Sequence, residues 1–311
     1  MSIWKRAFGT VASLSLCCSI FAAPTGMIGV VLPAADHGWL SATSYFAQQK
    51  MKELGLKEGT GYKLVTSANV NEQANQIDDM IGLKCSAIVL LPHNNEVSVA
   101  AAKILTHGIK LVVFDRKVNG AYTAYVAGNN AAMGTESADY IGSKLGNKGT
   151  VAVMNTPSVG SVNTDRVGGF KKVMAEKYPG IKMVDVTSSG YSMEDGLKMA
   201  TDMLVAYPKL DAVFSTDDEP SIGILQAIKE AKRTDIKLVS GGGGTQTYFN
   251  TIGKSNMSLF TATYSPSMIK DAIQTAYDIL QGKTVQKDKI VAPNIVDKTN
   301  YKKFLDAGSP Y

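Results

Sequence analysis

Residues 28–55 decide the fold, and they read IGVVLPAADHGWLSATSYFAQQKMKELG. The segment Met27–Pro33 is almost entirely apolar, as expected for a strand that is buried on both faces of a parallel sheet. A short polar loop follows. From Trp39 to Leu54, apolar residues recur at three- and four-residue spacing, which predicts an amphipathic helix. Strand, loop and helix in this order indicate the start of a β–α–β unit.

The same alternation of strands and helices occurs twice along the chain. It runs from residue 27 to residue 127, and again from residue 150 to residue 263. A helix after Ser265-Pro266, a strand over Lys289–Pro293 and a short helix over Tyr301–Ala307 complete the pattern. We therefore expect an α/β fold with two doubly wound, Rossmann-like lobes of parallel sheet.

The order of the elements also predicts how the two lobes divide the chain. We expect crossings near residues 127–128, 264–265 and 294–295, which together form a hinge that permits opening and closing. The N-terminal lobe then comprises residues 23–127 and 265–294. The C-terminal lobe comprises residues 128–264 and 295–311.

The first 22 residues have the features of an export signal. Lys5 and Arg6 precede an apolar stretch, 7–21, and small residues follow it. We predict cleavage after Ala22 and a periplasmic protein. Cys85 is then the one remaining cysteine, so we expect a buried thiol and no internal disulfide.

Composition argues against several classes of function. The formal net charge of +5 is mild and no basic cluster is present, so nucleic acid is not an expected partner. No apolar run beyond the signal reaches the roughly 20 residues of a membrane helix. His37, His93 and His107 lack metal-ligand spacing. We expect a monomer with no metal and no cofactor.

Polar and aromatic side chains follow the predicted strands, where ligands bind to parallel sheets. The first lobe supplies Asp36, His37, Trp39, Asp115 and Arg116, with His93 and Asn94 as a second tier. The second lobe supplies Arg166, Tyr191, Asp217, Gly243 and Tyr264. We expect these residues to meet in a cleft between the lobes.

The arginines and the tryptophan indicate what this cleft binds. Beyond the signal, the sequence has three arginines, and Arg116 and Arg166 fall at the cleft. A guanidinium group suits adjacent hydroxyls, although surface pairing with Asp115 and Asp165 is the alternative. Trp39 is the one tryptophan beyond the signal. Aromatic faces stack on the C–H faces of a sugar, so the set favours a monosaccharide or polyol.

These residues lie in segments that resemble the periplasmic sugar-binding proteins of ABC transporters, of the ribose-binding-protein type (type I). The segments are IGVVLPAADHGWLSATSYFAQQKMKELG (28–55), VVFDRKV (112–118), TDRVGGF (164–170), VFSTDDEPSIGILQAI (213–228) and VSGGGGT (239–245). The resemblance implies capture of a monosaccharide between closing lobes, delivery to a permease with its ATPase, and no catalysis.

The resemblance also implies roles for single residues. Trp39 and Leu40 stand at the positions of a pair that stacks on the sugar. His37 replaces a polar asparagine and has Asp36 beside it. The other ligand-binding positions implied are Asp115, Arg116, Arg166, Tyr191 and Asp217.

Two positions depart from the ribose-binding pattern. Gly243 stands where a sugar-binding aspartate is expected, and Tyr264 replaces a hinge glutamine. We therefore expect a ligand other than ribose, since a site rejects analogues that leave its polar groups unpaired.

Two other functions remain as alternatives to transport. The same cleft would suit a receptor that presents a sugar or an autoinducer-like signal to a chemoreceptor or sensor kinase. An enzyme would use Gly241–Gly244 as a phosphate-binding loop. That spacing matches neither G-x-G-x-x-G nor a P-loop.

Overall fold

The computed structural model describes residues 26–35 and 38–311. The predicted signal peptide and two predicted site residues, Asp36 and His37, lie outside the described residues. Among the residues that are described, no helix combines the length and the apolar character needed to cross a bilayer.

Strands and helices alternate through nearly the whole chain. The strands are β1 (Ile28–Pro33), β2 (Tyr62–Ser67), β3 (Ala87–Leu90), β4 (Lys110–Phe114), β5 (Ala124–Gly128), β6 (Gly149–Asn155), β7 (Ile181–Thr187), β8 (Ala212–Phe214), β9 (Leu238–Gly243), β10 (Ser258–Thr263), β11 (Asp288–Val291) and β12 (Ile295–Asp297). The α-helices are α1 (Gly38–Glu53), α2 (Val70–Gly82), α3 (Ser98–Thr106), α4 (Asn130–Leu145), α5 (Ser161–Lys177), α6 (Met193–Ala206), α7 (Asp218–Glu230), α8 (Gln246–Lys254) and α9 (Ile269–Leu280).

The first sheet has the strand order β2-β1-β3-β4-β5-β11, and its recorded pairings are parallel. Its central strands are apolar and buried because helices cover both faces. Helices α1 and α9 pack on one face, and α2 and α3 pack on the other. Cys85 is buried in the layer with α2 and α3, as predicted.

The second sheet repeats this arrangement, with the order β7-β6-β8-β9-β10-β12. Its strands are parallel except for β12, which runs antiparallel to β10. Helices α6, α7 and α8 cover one face, while α4 and α5 cover the other. The prediction of two doubly wound α/β lobes is therefore confirmed.

The chain passes from one sheet to the other after β5, after β10 and again between β11 and β12. Helix α9, which follows the second crossing, packs on β3, β4 and β5 of the first sheet. In parallel sheets, ligand-binding residues are expected at the carboxyl ends of the strands.

Local predictions were wrong at several elements. Helix α4 was not predicted, because Gly134 and Gly142 weaken its helical pattern. These glycines permit close packing: a Cβ at Gly134 would lie 2.0 Å from the main-chain oxygen of Arg166. Helix α5 begins at Ser161, so Arg166 lies within this helix. Strand β12 was also missed, and the terminal helix is a single 3-10 turn, Tyr301–Phe304.

Candidate functional site

Tyr264 lies at the crossing after β10 and connects residues from both lobes. Its hydroxyl donates a hydrogen bond to Asp115 Oδ1 at 2.5 Å. Its main-chain oxygen accepts a hydrogen bond from Trp39 Nε1 at 2.9 Å. The guanidinium carbon of Arg166 lies 5.0 Å from the centre of the Tyr264 ring, within the range of a cation–π contact. Four of the predicted site residues therefore form one contiguous cluster.

The guanidinium group of Arg166 is buried and fixed by main-chain and side-chain acceptors. Only 4% of the residue is exposed. Nε donates to Asn130 Oδ1 at 2.9 Å, and Nη1 donates to the main-chain oxygen of Thr216 at 2.7 Å. The same Nη1 lies 3.8 Å from Asp217 Oδ2. These partners exclude the alternative that Arg166 pairs with Asp165 at the surface.

Asp115 and Arg116 follow β4 in a constrained turn. Asp115 has a φ of +61°, in the left-handed region, and its main-chain oxygen accepts from the Tyr125 hydroxyl at 2.7 Å. Arg116 Nη1 donates to the main-chain oxygen of His93 at 2.8 Å, while its Nε lies 3.8 Å from Asp115 Oδ2. Arg116 Nε is buried and has no hydrogen-bond partner among the described residues. It is a donor that a ligand would satisfy.

Trp39 stands at the start of α1, between the site and the core of the first lobe. Its ring is stacked on Phe114, with centroids 6.0 Å apart and planes 7° apart, and 8% of the residue is exposed. One face of the indole is therefore already used within the protein. Leu40, which the resemblance pairs with Trp39, is 3% exposed and packs in the same apolar cluster.

Three buried hydroxyl groups of the second lobe lack a well-formed hydrogen bond. Tyr191 Oη, Thr216 Oγ1 and Thr156 Oγ1 are buried without a well-formed hydrogen bond within the described residues, and Tyr191 and Thr216 lie close to each other. Burial raises the pKa of Tyr191, so its hydroxyl stays protonated. A buried polar group without a partner costs about 1–3 kcal/mol. These groups suit the hydroxyls of a bound molecule.

Asp217 combines a structural role with a place at the site. Its side chain caps α7 by accepting from the Glu219 amide at 3.1 Å. Burial raises the pKa of this carboxyl well above its ordinary value, although the nearby Arg166 acts in the opposite direction. A partner that donates hydrogen bonds to Asp217 would offset the cost of burying it.

The glycine run Gly241–Gly244 does not form a phosphate site. Asp218 Oδ2 accepts from the amides of Gly244 and Thr245 at 2.8 and 2.6 Å. The main-chain donors that would hold a phosphate therefore already bind a carboxylate. Gly243 has a φ of +121°, a conformation that side-chain-bearing residues rarely adopt.

His93 and Asn94, the predicted second tier, line a cavity of about 570 Å³ with Arg116 and Tyr191. The His93 ring contacts Ser67, since its Nε2 lies 2.9 Å from the main-chain oxygen of that residue. Asn94 accepts from the Glu96 amide. Both residues therefore line the cavity and also make contacts that hold the loop after β3.

Several groups at the site were missed from the sequence. Asn130 binds Arg166, and its Nδ2 lies 3.4 Å from the Tyr264 hydroxyl. Thr156 and Thr216 present the unpartnered hydroxyls described above. Thr156 and Thr216 come one or two residues after the end of a strand, and this position could have identified them from the sequence. In the described part of the chain, no cluster of three or more potential metal ligands is present.

The sequence is similar to two curated import proteins. It is 28% identical over 303 residues to the D-apiose import binding protein of Actinobacillus succinogenes, which covers 96% of this chain and 92% of that protein. It is 27% identical over 264 residues to the ribose import binding protein of Bacillus subtilis, which covers 84% of this chain and 83% of that protein.

Solved structures share the fold. An ABC transporter periplasmic solute binding protein from Actinobacillus succinogenes with bound D-allose has a TM-score of 0.81 and 23% identity, covering 89% of this chain and 99% of that one. One from Bacillus halodurans with bound myo-inositol has a TM-score of 0.81 and 17% identity, covering 93% and 99%. The family model described as a periplasmic binding protein domain matches residues 28–284, and the chain belongs to this periplasmic binding protein family.

Proposed function

We propose that the protein captures a monosaccharide or polyol between its two lobes in the periplasm. The observation that carries this proposal is the Arg166–Tyr264–Asp115 cluster, which joins both lobes and lies among buried hydroxyls without partners. Charged groups, aromatic rings and orphaned hydroxyls together suit a small polyhydroxylated molecule. Relatives named for import of D-apiose and ribose support the same ligand class.

The proposed ligand site draws on the strand ends of both lobes. Its members are Asp36, His37, Trp39, Asp115, Arg116, Arg166, Tyr191, Asp217, Gly243 and Tyr264. Leu40 acts through its packing beneath Trp39, and His93 and Asn94 form the outer tier. The lobes are residues 23–127 with 265–294, and residues 128–264 with 295–311. Sheet membership supports this division, since β11 joins the first sheet and β12 the second.

The bound sugar is then handed on without chemical change. We propose delivery to an ABC permease with its ATPase, after export with cleavage following Ala22. No contact in the described residues distinguishes this role from presentation to a chemoreceptor or sensor kinase, so transport rests on the import functions named for the relatives.

A ligand panel tests the proposal directly. Protein beginning at Ala23 has Trp39 as its one tryptophan, so its fluorescence should report binding near Tyr264. The panel comprises ribose, apiose, allose, xylitol, myo-inositol and glycerol, with an amino acid mixture as the negative control. We expect at least one sugar or polyol to change the emission and raise the melting temperature. A ligand at 100 times its Kd would add about 2.7 kcal/mol of stability. A panel without any response would overturn the ligand class.

A further inference from the structure

Tyr311, the last residue of the sequence, lies inside the cleft although it is distant in sequence from the other site residues. Only 8% of it is exposed. It packs in the apolar cluster that contains Trp39 and Tyr264, and it lies between two cavities of about 860 and 410 Å³.

The hydroxyl of Tyr311 takes the space above Gly243. A Cβ at position 243 would lie 2.3 Å from Tyr311 Oη, so the phenol would have to move to accommodate one. The glycine therefore leaves room for the phenol at the end of β9. Gly243 is also one of the positions at which the sequence predicted a ligand contact.

Charged groups of the second lobe surround this phenol. Burial, together with the nearby carboxylates of Asp217, Asp218 and Glu219, raises the pKa of Tyr311, while Arg166 acts in the opposite direction. The hydroxyl is therefore protonated at neutral pH. It can donate one hydrogen bond and accept others, as a site for hydroxylated ligands requires.

Local hydrogen bonds hold the segment that carries Tyr311. The Asp306 amide donates to Gln246 Oε1 at 2.8 Å, and Gln246 Nε2 donates to the main-chain oxygen of Phe304 at 3.2 Å. Closer to the end, Ser309 Oγ donates to the main-chain oxygen of Tyr311 at 2.9 Å and accepts from its amide. The segment 304–311 is thus attached to the start of α8, and its last side chain reaches the first-lobe cluster.

A contact between the lobes lies beside Tyr311. The Gly38 amide of α1 donates to Glu219 Oε1 of α7 at 3.1 Å. Both residues line the 410 Å³ cavity together with Tyr311. Tyr311 therefore lies where the two lobes approach each other.

We propose that Tyr311 is a ligand-contacting residue, and that segment 304–311 is a strap that places this phenol in the sugar site. The inference rests on the proposed function and extends it. The ring offers an apolar face for C–H groups, and the hydroxyl selects among hydroxyl patterns. Ligands that present a hydroxyl toward the Tyr311 hydroxyl would bind better than their epimers.

Two substitutions of Tyr311 and one control test this inference. Tyr311→Phe removes only the hydroxyl, and Tyr311→Ala removes the ring as well. Tyr45→Phe, on the exposed part of α1, is the matched control. Calorimetric titration with the best ligand of the panel and with its epimers gives the Kd of each protein variant for each ligand. Thermal melting verifies that each variant is folded.

We expect Tyr311→Ala to raise the Kd at least tenfold. Tyr311→Phe should change the ratio of affinities between epimers at least threefold, and Tyr45→Phe should change neither quantity. If the wild type binds a ligand and both Tyr311 variants bind it with the same affinity, this inference is overturned and the proposed function remains. Tighter binding by Tyr311→Ala would overturn it too, because the phenol would then be a competitor. Absence of wild-type binding to the panel would overturn both proposals.

Discussion

The guanidinium group of Arg166 lies over the ring of Tyr264, 5.0 Å from its centre, and the hydroxyl of that ring binds Asp115. Arg166 belongs to helix α5 on the second sheet, and Asp115 follows β4 of the first sheet. A residue at a crossing between the lobes therefore connects charged groups of opposite sign from the two sides. Under the proposed function, these contacts lie at the site where the two lobes would close on a ligand.

Replacing Arg166 with lysine should weaken ligand binding while keeping the charge. The ammonium group cannot bind Asn130 and the Thr216 oxygen in the geometry of the planar guanidinium. We expect a loss of about 30-fold or more in affinity, corresponding to about 2 kcal/mol. Arg233→Lys is the control, since Arg233 pairs with Asp235 away from the site. Equal affinities in wild type and Arg166→Lys by calorimetry would refute the assigned role.

Replacing Tyr264 with phenylalanine should destabilise the ligand-free protein. The change removes the hydroxyl that donates to the buried Asp115 carboxylate. We expect a decrease of about 1–3 kcal/mol in the free energy of unfolding, measured by urea titration. Tyr277→Phe offers a comparison in a buried ring, 8% exposed against 4% for Tyr264. Similar losses in both variants would show that the Asp115 contact contributes little.

Replacing Asp217 with asparagine should stabilise the ligand-free protein at neutral pH. Burial raises the pKa of Asp217 in the folded protein above that in the unfolded chain. The folded state therefore binds the proton more tightly, and the contribution of this group to stability falls as the pH rises through the folded pKa. Asparagine avoids this penalty and also caps α7 well.

The stability difference at position 217 should disappear on acidification. Thermal melts of wild type and Asp217→Asn between pH 7.5 and pH 4 should converge as the pH falls through the raised pKa. Asp202→Asn, at an exposed position on α6, is the matched Asp-to-Asn control. A constant difference between wild type and Asp217→Asn would contradict the raised pKa. Ligand affinity should decrease in Asp217→Asn, because a carboxylate binds hydroxyls more strongly than an amide.

The thiol of Cys85 should resist alkylation in the folded protein. Burial raises its pKa to about 11, so roughly one molecule in a thousand carries the reactive thiolate at pH 8. Iodoacetamide labelling, quantified by mass spectrometry of the Cys85 peptide, should be slow in buffer and rapid in urea. Rapid labelling without denaturant would show that the layer beneath α2 is open to solvent.

Much of the fold was predictable because its signals are local. The apolar strand at residues 28–33 and the helix that follows it identify the first β–α unit, and the repeat identifies two lobes. Local rules failed at α4, since Gly134 and Gly142 are selected by close packing against other helices and loops rather than by helix propensity. A short stretch of sequence does not show which distant residues will pack against a glycine.

The residues of the candidate site could be predicted from the sequence, but the contacts between them could not. We predicted Asp115, Arg166 and Tyr264 as site residues because each follows a strand in the sequence. The carboxyl ends of parallel strands lie at one edge of a sheet, where ligands bind. The sequence alone thus determined the α/β architecture and the groups available for a ligand. Only the tertiary structure decided that Trp39 stacks on Phe114 and that Tyr311 packs in the same cluster as Trp39 and Tyr264. Such contacts join residues far apart in the chain, and their geometry exists only once both sheets have formed and the lobes have met.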